Sequence, residues 1–531
     1  MPHAQTSLQD DGTFMLEQYH RAAPFASFLP GIAGELGVPI WVFYCNRGQA
    51  ITSFGVRDKD GAIAEFHPAD TAYARVFSDG FRTLVWNGDH YYEPLRNAGA
   101  GAGGTQTMQV RAHELELGEE NPAEGLRTTV IYFTLPHLPQ GGLVRWVTVT
   151  NIGRRARRLC IADGLARMTP GCVRDATMKT MSNTKAGMIE TRGMARGVVF
   201  SRSRVKSSDA VTLDFATTGN YLVTQPLHGV RGAARMLGDP RLVFGDGADL
   251  GEPRAFIEQA GVCRGTQREV GYMPCAFAAF ETELAAGAAC AWVSIIGHAA
   301  TERAALQLRS MAGRPGWLAK RRAENTDLIA RIQDRQWTVT SSPVFDHYCR
   351  QTYLDNVLRG GLPVNLGAQI FHLYFRKHGD MERDYNWFTL DPAYYSQGNA
   401  SYRDINQNRR ADVLFNPAVG LTNVRTFFNA LQADGNNPLT YEGTAFQVAE
   451  EDLCACGAPG NATEELQQVV RQPVTPGRLA AFAVQHHLPV APFLERILAH
   501  ARRVDRFGGS DGYWSDHWTY CLDLLVNYLQ V

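Results

Sequence analysis

Between Asp391 and Asn416 the sequence reads DPAYYSQGNASYRDINQNRRADVLFN. This short span gathers Gln397, Asn399, Arg403, Asp404, Asn406, Gln407, Asn408, Arg409 and Arg410 with Tyr394, Tyr395 and Tyr402. Planar amides donate and accept, guanidinium forks present fixed charged donors, and a carboxylate accepts. With aromatic faces to cover C–H edges, that set suits a sugar. The same composition also suits a polar loop capped by a solvated helix. Gly398 and Asn399 allow a tight turn that presents the following side chains inward, and the flanking segments are apolar, which favours the binding surface. The candidate substrate contacts are Tyr395, Gln397, Asn399, Tyr402, Arg403, Asp404, Gln407 and Asn408. If Arg403 or Arg409 contacts Asp404, that carboxylate stays ionised and binds hydroxyls instead of transferring protons.

Other carboxylates read as surface chemistry. Asp380, Glu382 and Asp384 beside Arg376, Lys377 and Arg383 form a solvated charge cluster, and Glu450-Glu451-Asp452 is an acidic surface run. Asp516 and His517 are neighbours in sequence and would point apart on a helix, so a cap or loop role fits them better than a catalytic pair. Ten cysteines are scattered, and only Cys454 and Cys456 are close-spaced. A lone Cys-x-Cys is a poor zinc motif, which leaves free thiols in a reducing compartment.

The elements that must position these residues divide the chain. A length of 531 residues calls for at least two domains, and 45% apolar with 20% charged residues describes an ordinary globular protein. The formal net charge of -1, with Lys and Arg dispersed, does not advertise nucleic acid or an anionic membrane as partner. The N-terminus lacks the basic and apolar regions of a signal peptide, and a cytoplasmic location is the expectation. Residues 1–312 read as a large antiparallel β-sandwich, from IWVFYC (40–45), AYARVF (72–77), TTVIYFTL (128–135), LVRWVTVTN (143–151), GVVFS (197–201), AVTLDFA (210–216) and CAWVSIIG (290–297), with GAGAGGTQ (99–106) as a loop. Arg82, Trp86 and Tyr92 fit a sandwich core with snorkelling rims better than a sugar platform.

Residues 313–342 form a charged helical linker, and residues 343–531 are helical. Helices are expected over 344–361, 424–435 and 492–504, with long polar loops at 376–412 and 434–465. Helices joined by such loops suit an α/α toroid.

YSQGNASYRDINQNRRADVLFNP resembles the signature of the 1,2-β-oligoglucan phosphorylases of glycoside hydrolase family 94, relatives of cellobiose and chitobiose phosphorylases and of the phosphorylase-like domain of cyclic β-1,2-glucan synthases. Tyr402 to Asn408 matches the broader aromatic-Arg-Asp-x-x-Gln-Asp motif, with Asn408 in place of its last carboxylate. The run ITSFGVRDKDGAIAEFHPADTAYARVFSDGFRTLVW (51–86), with Tyr92-Glu93-Pro94, resembles the family's opening β-domain. The resemblance implies an (α/α)6 barrel after the sandwich and linker, with inverting phosphorolysis of β-1,2-glucooligosaccharides to α-glucose 1-phosphate. It implies inorganic phosphate as co-substrate, no cofactor, and Arg403, Asp404, Gln407 and Asn408 on the donor glucosyl unit. It leaves the oligomeric state open.

Twelve helices of ~11 residues with their connections need upward of ~300 residues, more than 343–531 supplies. The segment WTYCLDLLVNYLQV (518–531) reads as a helix running to Val531 without a helix-ending signal, so the expectation is the first part of a longer barrel. An inverting phosphorylase needs a general acid, which the family places in a Gly-Asp-Trp-Asn-Asp-like motif downstream of the region present here. That acid is expected beyond Val531, and no catalytic residue is assigned within the chain. Asp384-Tyr385-Asn386-Trp387 lies upstream of the sugar motif and does not take that role. A phosphorylase or hydrolase for another β-glucan, or a non-catalytic carbohydrate-binding protein, are the alternatives.

Overall fold

A computed structural model describes residues 5–96, 104–205, 214–247, 249–377, 387–449, 453 and 462–531. Asp380, Glu382, Arg383, Asp384, Tyr385, Asn386, Glu450, Glu451, Asp452, Cys454 and Cys456 lie outside these, as do most of 99–106 and 210–216.

The N-terminal region is built from a ten-stranded, a five-stranded and a four-stranded antiparallel sheet. The strand Leu126–Thr134 shows why: its residues alternate between core and outer face, with Leu126, Thr128, Val130 and Tyr132 inward. The ten-stranded sheet centres on Gly141–Asn151, paired with Leu126–Thr134 on one side and Ala289–Ala299 on the other. Between the sheets lies one large core, including Phe54, Phe81, Val130, Val147, Ile161 and Trp292. A polar staple crosses it. Arg145 of the ten-stranded sheet donates to Asp163 of the five-stranded sheet at 2.7 Å, and Thr83 and Trp292 donate to the same carboxylate at 2.8 and 2.9 Å. Tyr132 and Gln49 accept from the guanidinium.

One strand expectation fails. AYARVF lies in the helix Ala69–Arg75 and its cap, where Ala69, Ala72 and Val76 bury one face at spacings of three and four. Helical periodicity outweighs the strand-like composition there.

Two helices follow the sandwich. Thr301 caps Glu302–Ala312 through its hydroxyl, which accepts from the Ala304 amide. Trp317–Gln333 is tied to the sandwich by buried Asn325, which donates to the His113 carbonyl at 2.8 Å. Pro343–Gly360 then begins at a Ser342 cap with Pro343 in its first turn, and Gly361 (φ 100°) ends it.

The C-terminal region mixes helices with strands. A hairpin pairs Leu362–Leu366 with Gln369–Leu373, and a second sheet joins Ala400–Ser401, Asn437–Gln447 and Arg502–Gly512. Asn437–Gln447 falls where a polar loop was expected. Its sequence, NPLTYEGTAFQ, lacks clean alternation, and the strand is held by pairing with Arg502–Gly512, which is distant in sequence. The same pairing shortens the helix expected over 492–504, which ends at Leu498. The helix expected to run to Val531 is also shorter. It spans Ser515–Tyr528, Leu529 caps it, and Val531 lies past the cap with its side chain exposed. The Leu529 N–H bonds back to the Leu525 and Asn527 carbonyls, so local backbone bonds close the last turn where the sequence offers no Gly or Asn stop. No helix among the described residues is long and apolar enough to cross a membrane.

Candidate functional site

The eight candidate residues separate into three groups by what their side chains touch. Gln397 and Asn399 serve the backbone. The Gln397 amide accepts from the Thr444 N–H at 2.9 Å and donates to the Thr444 carbonyl at 2.8 Å, acting as a strand partner. Asn399 accepts from the Thr389 N–H at 2.9 Å and donates to the Trp387 carbonyl at 3.4 Å. Gly398 makes the crossing possible, because a Cβ there would collide with the Thr389 carbonyl and lie 2.6 Å from the Phe375 carbonyl.

Tyr402, Asn408 and Tyr395 anchor packing. Tyr402 is buried, donates to the Phe427 carbonyl at 2.8 Å and stacks on His517 at 4.9 Å. Asn408 turns back on its own helix to donate to the Asp404 carbonyl at 2.6 Å, against Gly360 of the preceding helix. Tyr395, held at φ 45°, donates to Glu35 of the sandwich at 3.3 Å. Glu35, His137, Arg331, Arg335 and Tyr374 line a cleft of about 410 Å³ between the sandwich, the Trp317–Gln333 helix and the C-terminal region. His137 (φ 57°) and Tyr374 (φ 70°) share Tyr395's left-handed backbone, a strain that costs on the order of 1–3 kcal/mol each.

Arg403, Asp404 and Gln407 remain toward solvent on the helix Tyr402–Arg409. Arg403 donates to Asp404 at 3.0 Å and lies 3.6 Å from Asp516, in the first turn of the helix Ser515–Tyr528. Its side chain is 52% exposed, so it sits on an open surface. The charge of Arg403 is felt at the His517 ring. Trp514 stacks on His517 at 5.2 Å, continuing the stack begun by Tyr402, while exposed Tyr513 and Trp518 both approach Gly435. Burial lowers the pKa of His517, which shares a hydrogen bond with Asn437 at 2.5 Å. The face therefore offers a fixed guanidinium, two carboxylates and partly exposed rings, the groups that hold sugar hydroxyls and C–H faces.

Beneath this surface lies a buried polar network that the sequence reading passed over. Arg409 donates to the Gly360 carbonyl at 2.6 Å and lies over the rings of Phe375 and Tyr441 at 4.9 and 5.1 Å. Asp412 is bonded to His372 at 2.8 Å and accepts from Asn423 at 2.9 Å. Burial pushes the Asp412 carboxyl up to about 7 against the pull of Arg409 and Asn423, and burial, Arg409 and Arg503 hold His372 well below its ordinary value. Burial also works to raise Asp505, but the Arg503 fork at 2.9 Å outweighs it and keeps that carboxyl below the usual range. Arg503 and Asp505 were legible in principle: at i and i+2 of a strand they share one face.

No family model matches the chain, and no curated protein does. Among solved structures, it is similar to a bacterial glucoamylase complexed with acarbose, at 11% identity and a TM-score of 0.35, over 96% of this chain and 68% of that one. It is also similar to a candidate kojibiose phosphorylase from the human microbiome, at 7% identity and a TM-score of 0.34, over 77% of this chain and 42% of that one. A third is a family GH92 α-mannosidase from Bacteroides thetaiotaomicron, at 12% identity and a TM-score of 0.21, over 65% of this chain and 42% of that one.

Proposed function

We propose that this protein is a carbohydrate-active protein of the glycoside phosphorylase type, with Arg403 and Asp404 contacting a glucosyl unit of a β-1,2-glucooligosaccharide. The observation that carries the reading is the joining of Arg403 to Asp404 and Asp516 on one open face, beside His517 and the Trp514 ring stacked on it. The two segments that resemble the oligoglucan phosphorylases support the linkage, the inverting phosphorolysis and the role of phosphate as co-substrate. The (α/α)6 barrel and the cytoplasmic location belong to the same proposal.

The test is direct. The chain is titrated with sophorotriose by calorimetry and incubated with it in the presence and absence of phosphate, with α-glucose 1-phosphate as the readout. Arg403→Ala removes a half-exposed charged donor, for which about 1 kcal/mol is expected, a roughly fivefold weaker Kd. Unchanged affinity in folded Arg403→Ala would refute the assignment of this face.

A second reading is favoured by one observation. The carboxyl groups shifted upward among the described residues are Asp58, Glu65, Asp391 and Asp412, and none is joined by a hydrogen bond or ion pair to Arg403, Asp404 or Asp516. A general acid needs such a raised pKa near the bound sugar. Binding of sophorotriose with neither α-glucose 1-phosphate nor free glucose released, with or without phosphate, would establish this chain as a non-catalytic carbohydrate binder.

A further inference from the structure

The outer face of the ten-stranded sheet carries a second concave surface, which shares no lining residue with the Arg403 face. His113, Glu114 and Trp146 of the sandwich meet Ala319, Arg322, Ala323 and Thr326 of the Trp317–Gln333 helix around a pocket of about 340 Å³, within the range of small-ligand sites. Trp146 is partly exposed on the strand Gly141–Asn151, facing Ile131 across the ladder, and Ile131 in turn faces Glu116. Its indole N–H makes no hydrogen bond to the described residues.

The polar wall is fixed before any ligand arrives. Arg322 grips buried Glu114 through two bonds, 2.8 and 2.9 Å, which leaves one terminal nitrogen of the fork uncommitted. Arg111 reaches Glu114 at 3.2 Å and Glu116 at 3.1 Å. Two guanidinium groups thus balance two carboxylates, so the wall has no net charge to favour an ion. Burial lowers the His113 pKa, which favours a neutral imidazole able to donate or accept. A preset neutral polar wall beside an indole face matches a ligand with one C–H face and a rim of hydroxyls.

We propose that this pocket is a second saccharide subsite, in which a neutral pyranose ring stacks on Trp146 and hydrogen-bonds Arg322 and His113. The class of ligand rests on the carbohydrate reading above, while the site is separate from the Arg403 face. A subsite on the sandwich–helix junction would retain an oligosaccharide independently of the surface that contacts the glucosyl unit.

Calorimetric titration of the full chain with sophorotriose, laminaritriose and cellotriose tests it. Trp146→Leu removes the platform, and Ala323→Arg fills the pocket from the helix side without touching the core, which keeps the test valid if Trp146→Leu fails to fold. The expected result is two sites for at least one trisaccharide, reduced to one in either variant, with the pocket's affinity weakened at least fivefold. Arg403→Ala should leave this site's affinity unchanged. Wild-type binding in folded Ala323→Arg would overturn the subsite, and the Arg403 reading would then stand or fall on its own variant. Loss in the pocket variants with no effect of Arg403→Ala would uphold the subsite and refute the Arg403 assignment. Absence of binding by the wild-type chain to all three sugars would overturn both.

Discussion

At the scale of single residues, Asp412 is the carboxyl pushed furthest above its ordinary value among the described residues. Its folded carboxyl keeps a proton to about pH 7, against a usual value of 3.8, because burial outweighs the pull of Arg409 and the Asn423 bond. The folded state therefore binds more protons than the unfolded chain between those values. Its contribution to stability is complete below about pH 4 and is lost as pH rises through about 7. Asp412→Asn keeps an acceptor for His372 and Asn423 but cannot ionise. The expected outcome is a flatter dependence of Tm on pH between 5 and 8 than in the wild type, measured by circular dichroism. An unchanged slope would show that Asp412 is ionised in the fold. The motif residues nearby were legible in composition but not in role: Gln397 reads like a sugar ligand, yet its amide pairs with the Thr444 backbone, a partner 47 positions away. Single-residue chemistry names what a side chain can bind. Only tertiary pairing says what it does bind.

Elements show the same division. The strands Leu126–Thr134 and Gly141–Asn151 were readable because one face is buried and the period of two is written in the sequence. Asn437–Gln447 was not, because its stability comes from pairing with Arg502–Gly512 and from Gln397, none of which leaves a local signal. Gly398 marks where that dependence is tightest. Gly398→Ala drives a methyl into the carbonyls of Thr389 and Phe375, so the crossing of 387–399 must shift. A loss of several degrees in Tm and of soluble yield is expected, whereas Gly232→Ala, with open space at its Cβ and a φ of 72°, should show only the smaller strain of a left-handed alanine. Equal Tm values for the two variants would contradict the clash. The sandwich has its own test. Arg145 and Asp163 join its two main sheets with no exposure, and removing one member of a buried pair costs about 3–5 kcal/mol. Arg145→Met should cost that much in urea unfolding, and a loss below about 1 kcal/mol would mean that water or rearrangement replaces the bond.

At the scale of the whole molecule, the question is what holds the sandwich to the C-terminal region. Two contacts offer opposite answers. Phe388, from the C-terminal side, inserts among Trp41, Phe43 and Phe66 of the sandwich, with centroids 5.3, 5.9 and 5.9 Å away. Arg376 crosses the same boundary with one long bond, 3.4 Å to the Leu29 carbonyl, and its buried Nη1 has no partner among the described residues. Burial pulls that guanidinium down to about 10. A desolvated charge with no carboxylate partner among the described residues opposes folding, whereas a buried ring in an aromatic cluster favours it. Phe388→Ala should therefore cost about 3–5 kcal/mol through lost burial and the cavity left behind. Arg376→Met, which keeps the aliphatic reach and the contact with Phe28, should leave Tm unchanged or raise it. Scanning calorimetry adds a readout that separates a seam from a mere core position. If Phe388 couples the two regions, its truncation should split or broaden the unfolding endotherm, because the sandwich would no longer melt with the helices that follow it. A single sharp transition in Phe388→Ala, merely displaced to lower temperature, would place Phe388 in the sandwich core and locate the coupling instead in the Asn325 and Glu114 contacts of the Trp317–Gln333 helix.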